Sequence, residues 1–201
     1  LFRSYTKEGI SAILGNFSVE SGINPKRAEG DYLNPPVGAH GNSWDEPSWL
    51  SMGGPQIYGG RFPNILHRGL GLGQWTDTAD GGRRHTLLLD YAKGKNKKWY
   101  DLQLQLDFIF DGDAPGSRTA ADNVARSKVA ATIPELTTYF LTVWEGNPGD
   151  KLGERIQAAQ NWFTFFSRSG TPIGGSGSEV FAQYKEKMQP LPTDRETKAG
   201  Q

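Results

Sequence analysis

Apolar residues along the first third of the chain follow two different rules. Ile10, Ile13, Leu14 and Phe17 recur at i, i+3, i+4 and i+7, the spacing of one buried helical face. This predicts a helix over residues 5 to 22, stopped by Gly22 and Asn24-Pro25. Residues 26 to 72 then lose all periodicity and are crowded with Gly, Pro and Asn. A structureless stretch of that length is uncommon inside a compact domain and usually carries function. It also holds Tyr32, Trp44, Trp49, Tyr58 and Phe62, unlike a disordered linker. An ordered irregular lobe, with a short hairpin, is expected there.

Helical spacing returns near residue 82. The run "WYDLQLQLDFIFDG" is ambiguous: Leu102, Leu104, Leu106, Phe108 and Phe110 alternate as in a strand, whereas Trp99, Leu102, Leu106 and Ile109 make a helical stripe. Helical neighbours favour helix. Ser117 is a candidate cap for a helix through about residue 128, and Thr132-Ile-Pro-Glu is a capping box for the next one. Asp150 is expected to cap a core helix whose stripe is Leu152, Ile156, Ala159, Phe163 and Phe166. "SGTPIGGSGS", residues 169 to 178, reads as a linker, followed by a polar tail. The expected organisation is one mainly helical domain over 1–168 and a flexible linker and tail over 169–201.

Composition narrows the function classes. Lys+Arg and Asp+Glu are both 22, so nothing favours nucleic acid or an anionic membrane as partner. No apolar run approaches the ~20 residues of a membrane span. The absence of cysteine removes thiol nucleophiles and Cys-based zinc sites. His40, His67 and His85 are scattered without a ligand-like spacing, so no metal or other cofactor is expected. The start at Leu1 suggests a domain cut from a longer polypeptide.

Two stretches carry candidate chemistry. In "ILGNFSVESGINP", Glu20 lies seven residues after Ile13, at the edge of the apolar face and in the last helical turn. The negative end of the helix dipole and partial desolvation both favour its protonated form. A solvated surface glutamate is the bland alternative. In "RGLGLGQWTDT", Gly69, Gly71 and Gly73 allow close approach of a ligand, Gln74 offers a donor and an acceptor, and Trp75 offers a flat face to a sugar ring. Taken alone, the same stretch reads equally as a tight turn packing a tryptophan. The dinucleotide G-x-G-x-x-G spacing is absent.

As a pair, these stretches resemble the phage tail lysozyme family of the lysozyme-like superfamily: the peptidoglycan-hydrolysing domains of phage tail-tip proteins and related cell-wall lysins. The matching pieces are "GISAILGNFSVESGINP", "GLGLGQWTD" and, more loosely, "YFLTVWEGN" with "RIQAAQNWF", over residues 5 to 167. The lobe over 31–67 is longer than the family leads one to expect. The resemblance implies an α+β lysozyme-like fold and cleavage of a β-1,4 bond between N-acetylmuramic acid and N-acetylglucosamine. Glu20 is then the general acid, and Ser21, Gly73, Gln74, Trp75 and Thr76 line the sugar site. The partner is bacterial peptidoglycan and the setting extracellular or virion-associated. Asp77 is the first choice for a second carboxylate because it follows Gln74-Trp75; as an alternative it simply caps the following helix. Asp31, Asp45, Glu46 and Asp80 are further candidates. A lytic transglycosylase needs no second carboxylate, because the 6-hydroxyl of the substrate attacks. Glu145 matches a recurring family position and is read as structural. An N-acetylglucosaminidase on the same substrate is a further alternative, and a wall-binding module without chemistry is the rival from another class.

Overall fold

The computed structural model describes residues 5–35 and 37–168. The expected linker and tail, 169–201, lie outside the described residues. The fold is mainly helical, with one small two-stranded sheet among the described residues.

Helix α1 (Lys7–Glu20) is the axis of the molecule. Thr6 caps it by accepting the Gly9 N–H, and the residues from Gly9 to Phe17 are buried on every side. A helix buried all round needs neighbours that come close. Gly15 allows this: a Cβ there would sit 2.6 Å from Ala159 Cβ. Gly9 does the same against the Val124 carbonyl.

The lobe follows α1 as expected, but it has elements of its own. Two one-turn helices, α2 (Pro47–Leu50) and α3 (Gly54–Ile57), lead into a hairpin of β1 (Ile65–Leu70) and β2 (Trp75–Thr78). The strands are antiparallel and pair His67 with Asp77 and Leu70 with Trp75. Arg68 is fully buried within the lobe, its guanidinium 3.8 Å from the Trp49 ring centroid and donating to the Glu29 carbonyl. Such a cation can be buried because stacking and hydrogen bonds replace its water.

The remaining helices are α4 (Arg84–Gly94), α5 (Leu102–Asp111), α6 (Pro115–Ala125), α7 (Ile133–Tyr139) and α8 (Leu152–Arg168). The ambiguous run is helical in α5, capped by Asp101 on the Leu104 N–H. Its Gln105 is buried and explains Gly71 of the hairpin turn. The amide accepts from Leu72 N–H and donates to the Pro25 and Trp99 carbonyls, and a Cβ at Gly71 would collide with it.

Three boundaries differ from expectation. Helix α6 starts at Pro115 rather than after Ser117, because proline at the first position has a preset φ and lacks only an N–H that would be orphaned anyway. The Thr132–Glu135 capping box forms as expected, but its helix does not run uniformly to Glu145. It widens into a π turn over Phe140–Trp144, a distortion that is frequent at functional sites. Ahead of α8, Lys151 at φ 52° is the residue preceding the helix, and Asp150 contributes its carbonyl to Arg155. The buried residues of α8 are Arg155, Ala159 and Phe166, so a cation sits within the stripe expected to be apolar.

Candidate active site

Glu20 is the last residue of α1, followed by the cap Ser21. Its position comes from the burial of Phe17 one turn earlier. Phe17 meets Trp75 (6.4 Å between centroids), Trp144 (5.6 Å) and Phe140 (5.7 Å). Trp75 and Trp144 also touch each other at 6.0 Å. This aromatic cluster ties the end of α1 to the hairpin turn and to the π turn. A Cβ on Gly73 would lie 2.4 Å from the Trp144 ring, so the glycine lets the turn settle directly on that indole.

Glu20 and Glu145 meet the two terminal nitrogens of one guanidinium. Arg155 Nη2 donates to Glu20 Oε2 at 2.8 Å. Arg155 Nη1 donates to Glu145 Oε2 at 2.9 Å. The Arg155 side chain is 2% exposed, that of Glu145 7% and that of Glu20 27%. Glu20 is thus the member of the trio that reaches solvent. Burial, reinforced by the charge of Glu20, pushes the Glu145 carboxyl up to about 8 against the opposing pull of Arg155 and Arg84. With the folded value above the ordinary 4.5, the fold favours protonated Glu145. That contribution is intact below pH 4.5 and is lost as pH rises through about 8. The urea midpoint is therefore expected to fall across this window, and Glu145→Gln to flatten the slope. A midpoint in the wild type that is level from acid to pH 8 would contradict the assignment.

A second network lies beneath the hairpin. Asp113 is buried and accepts from Arg84 Nε at 2.9 Å and Nη2 at 2.6 Å. Trp75 Nε1 donates to the same carboxylate at 3.3 Å, and Arg84 Nη1 donates to the Trp144 carbonyl. Arg84 also lies 4.0 Å over the Trp144 ring.

These contacts correct the expected role of Trp75. Its indole is 0% exposed, boxed in by Phe17, Phe108 and Trp144 and hydrogen-bonded to Asp113. A buried ring has no face to offer a sugar, so Trp75 belongs to the core. Gln74, at φ 45°, is half-buried and donates its amide to the Gly71 carbonyl, which fastens the turn. Thr76 is also half-buried, its hydroxyl on the Gln74 carbonyl. Ser21 donates back to the Phe17 carbonyl and is nearly buried, closing the last turn of α1.

Asp77 takes the position of its capping alternative. It is 3% exposed, and one oxygen meets His67 Nδ1 at 2.8 Å and the Thr86 hydroxyl, while the other accepts the Thr86 backbone N–H at 3.1 Å. Thr86 is the third residue of α4, so Asp77 caps that helix from the neighbouring strand. Burial raises its carboxyl, but the hydrogen bonds from His67 and Thr86 outweigh this and hold it below the ordinary 3.8. Both oxygens are thus engaged by neighbouring donors. Asp77→Asn should cost about 1–3 kcal/mol of stability by spoiling this acceptor set. The specific activity of its folded fraction should stay within a few-fold of wild type. A hundredfold loss in lysis by folded protein would return Asp77 to the chemistry.

Three of the other candidate acids have local partners. Asp31 pairs with Arg27, Asp45 with Lys98 and Tyr100, and Asp80 with Thr78 and Gly82. The residue that sequence reasoning missed is Arg155. A signal for it was present: Arg155 stands at i+3 from Leu152 and i−4 from Ala159, on the buried row of α8. A cation on such a row needs polar partners inside the fold.

No helix among the described residues is long and apolar enough to cross a membrane. No curated protein and no solved structure matches the chain. A family model described as phage tail lysozyme matches residues 2–166, taking in α1, the lobe, the hairpin and every helix to the end of the Glu20–Arg155–Glu145 cluster. On that match, which spans most of its length, the chain belongs to the phage tail lysozyme family.

Proposed function

We propose that this protein cuts the glycan strand of bacterial peptidoglycan at the β-1,4 bond between N-acetylmuramic acid and N-acetylglucosamine, with Glu20 as the general acid. Family membership supplies the lysozyme-like, wall-degrading character and the setting in a phage tail. The observation that carries the finer reading is the position of Glu20. It is a partly exposed carboxyl at a helix end, and the buried Arg155 holds its Oε2 at 2.8 Å. Cleavage needs a proton delivered to the leaving glycosidic oxygen, and a carboxyl fixed in orientation and open on one side can deliver it. Phe17, one turn before Glu20, and Gly73 of the glycine-rich turn both pack on Trp144, which supports this reading.

The engagement of Asp77 by His67 and Thr86 favours chemistry with a single catalytic carboxylate. In that route Glu20 protonates the leaving oxygen and then, as the carboxylate, accepts the proton of the sugar's own 6-hydroxyl as it attacks. The product is an anhydro sugar, and no water enters the step. The hydrolytic route ends instead in a reducing N-acetylmuramic acid. Mass spectrometry of digested walls separates the two by the mass of one water. Digests with neither product, together with unchanged wall turbidity, would leave only a wall-binding role.

A further inference from the structure

Arg155 is committed on every side. Besides the two carboxylates, its Nε donates to the Asp150 carbonyl at 3.1 Å and its Nη1 lies 3.3 Å from Asn16 Oδ1. The cation therefore cannot swing away, and Glu20 and Glu145 must divide its single charge. Three groups face Glu145: Glu20 on α1, Arg155 on α8 and Arg84 on α4. Asp113, paired with Arg84 through two hydrogen bonds, already offsets most of that charge. Two ionised carboxylates on Arg155 would leave a net negative charge in a nearly closed space, which is costly. One proton is therefore retained by the pair.

We propose that Glu145, acting through Arg155, is a positioning residue that sets how readily Glu20 holds the acid proton. The proposal rests on the reading of Glu20 as general acid. When Glu145 is protonated, the guanidinium serves Glu20 alone and favours its anion. When Glu145 is ionised, it takes the guanidinium and leaves the proton to Glu20. In the free protein the proton sits on Glu145, the more buried acid. Its carboxyl is raised by burial in the same direction. A glycan closing over Glu20 strips water from the more exposed acid and reverses the preference. Glu145 then loses a proton to solvent and Glu20 gains one from solvent. The pair holds one proton before and after, and no other group changes charge.

The test is the pH profile of Glu145→Gln, with carboxyl carbon NMR of Glu20 as a readout independent of activity. Glutamine keeps the size and an acceptor for Arg155 but removes the competing anion. The alkaline limb of kcat/KM should move down by at least one pH unit, lowering activity at neutral pH by about tenfold per unit. Activity at the acid optimum should stay within a few-fold of wild type. The Glu20 carboxyl signal should lose the response to Glu145 ionisation that it shows in wild type. A folded variant with an unmoved limb overturns the proposal. So does a folded variant inactive at every pH, since that would mean Glu145 itself meets the substrate. If the variant does not fold, the wild-type spectra decide: Glu20 and Glu145 must each respond to the other's titration, and independent curves overturn the coupling. Glu20→Gln separates the two ideas. Full activity in that variant removes Glu20 as the acid, whereas the coupling seen by NMR in wild type stands or falls without reference to activity.

Discussion

Replacing Glu20 with glutamine lowers wall lysis by at least about a hundredfold while the fold stays intact. Glutamine keeps the shape and can still accept from Arg155, but it has no acid proton to give. General acid assistance is worth about 10²–10⁴ in rate, which sets the expected range. Stability is the more discriminating half of the result. Removing one partner of a buried ion pair commonly costs about 3–5 kcal/mol, because the other charge is stranded. Here Arg155 is not stranded, since both oxygens of Glu145 already accept from its Nη1. With Glu20 neutral, Glu145 can ionise and take the guanidinium whole. The change in stability is therefore expected within about 1 kcal/mol, as for a partly exposed pair. Paired turbidity and thermal melts check both halves. A Gln variant that clears walls at near the wild-type rate removes Glu20 from the mechanism. A variant that loses activity only because it melts below the assay temperature assigns the glutamate to structure.

Trp75→Ala has the largest effect on the fold. The indole is fully buried between Phe17, Phe108 and Trp144, and its deletion leaves a cavity that those rings cannot collapse to fill. Such a truncation costs about 3–5 kcal/mol. Asp113 also loses a donor, although Arg84 still holds both of its oxygens. At about 2–4 °C per kcal/mol for a domain of this size, the melting temperature should drop by about 6–20 °C. Binding of chitooligosaccharide by the protein still folded at low temperature should weaken little. The opposite pattern, an unchanged melt with lost sugar binding, would mean that the ring faces the ligand after all. Trp75→Phe fills most of the space and should recover much of the stability.

What was legible in the sequence is what depends on neighbours within a turn or two. The face made by Ile10, Ile13, Leu14 and Phe17, the stop at Gly22 and the Thr132–Glu135 box are all local, since helix bonds and caps join residues three or four apart. For the same reason the end of α1, and Glu20 on it, could be located before any fold was known. The run from Leu102 was not decided locally, because its two apolar patterns overlap; packing beside other helices made it α5. The glycine-rich stretch was visible, but its meaning was not. Only the tertiary structure turned Trp75 inward, by placing Phe17, Phe108 and Trp144 around it, and only the strand register brought Asp77 to the N-terminus of α4.

The site itself divides along the same line. Glu20 was readable as a carboxyl at a helix end, but its partner stands 135 positions away along the chain. Arg155 belongs to the stripe of α8 by spacing, and nothing local to it names an anion. The contact exists because α8 packs against α1 where Gly15 leaves room for Ala159, which brings the guanidinium to the end of α1. Glu145 reaches the same guanidinium at the end of the π turn. Short-range hydrogen bonding and side-chain spacing thus determined the helices and the exposed acid. The closing of long-range contacts in the core decided which charges that acid must share, because the energy of burying a charge depends on everything packed around it and not on its place in the chain.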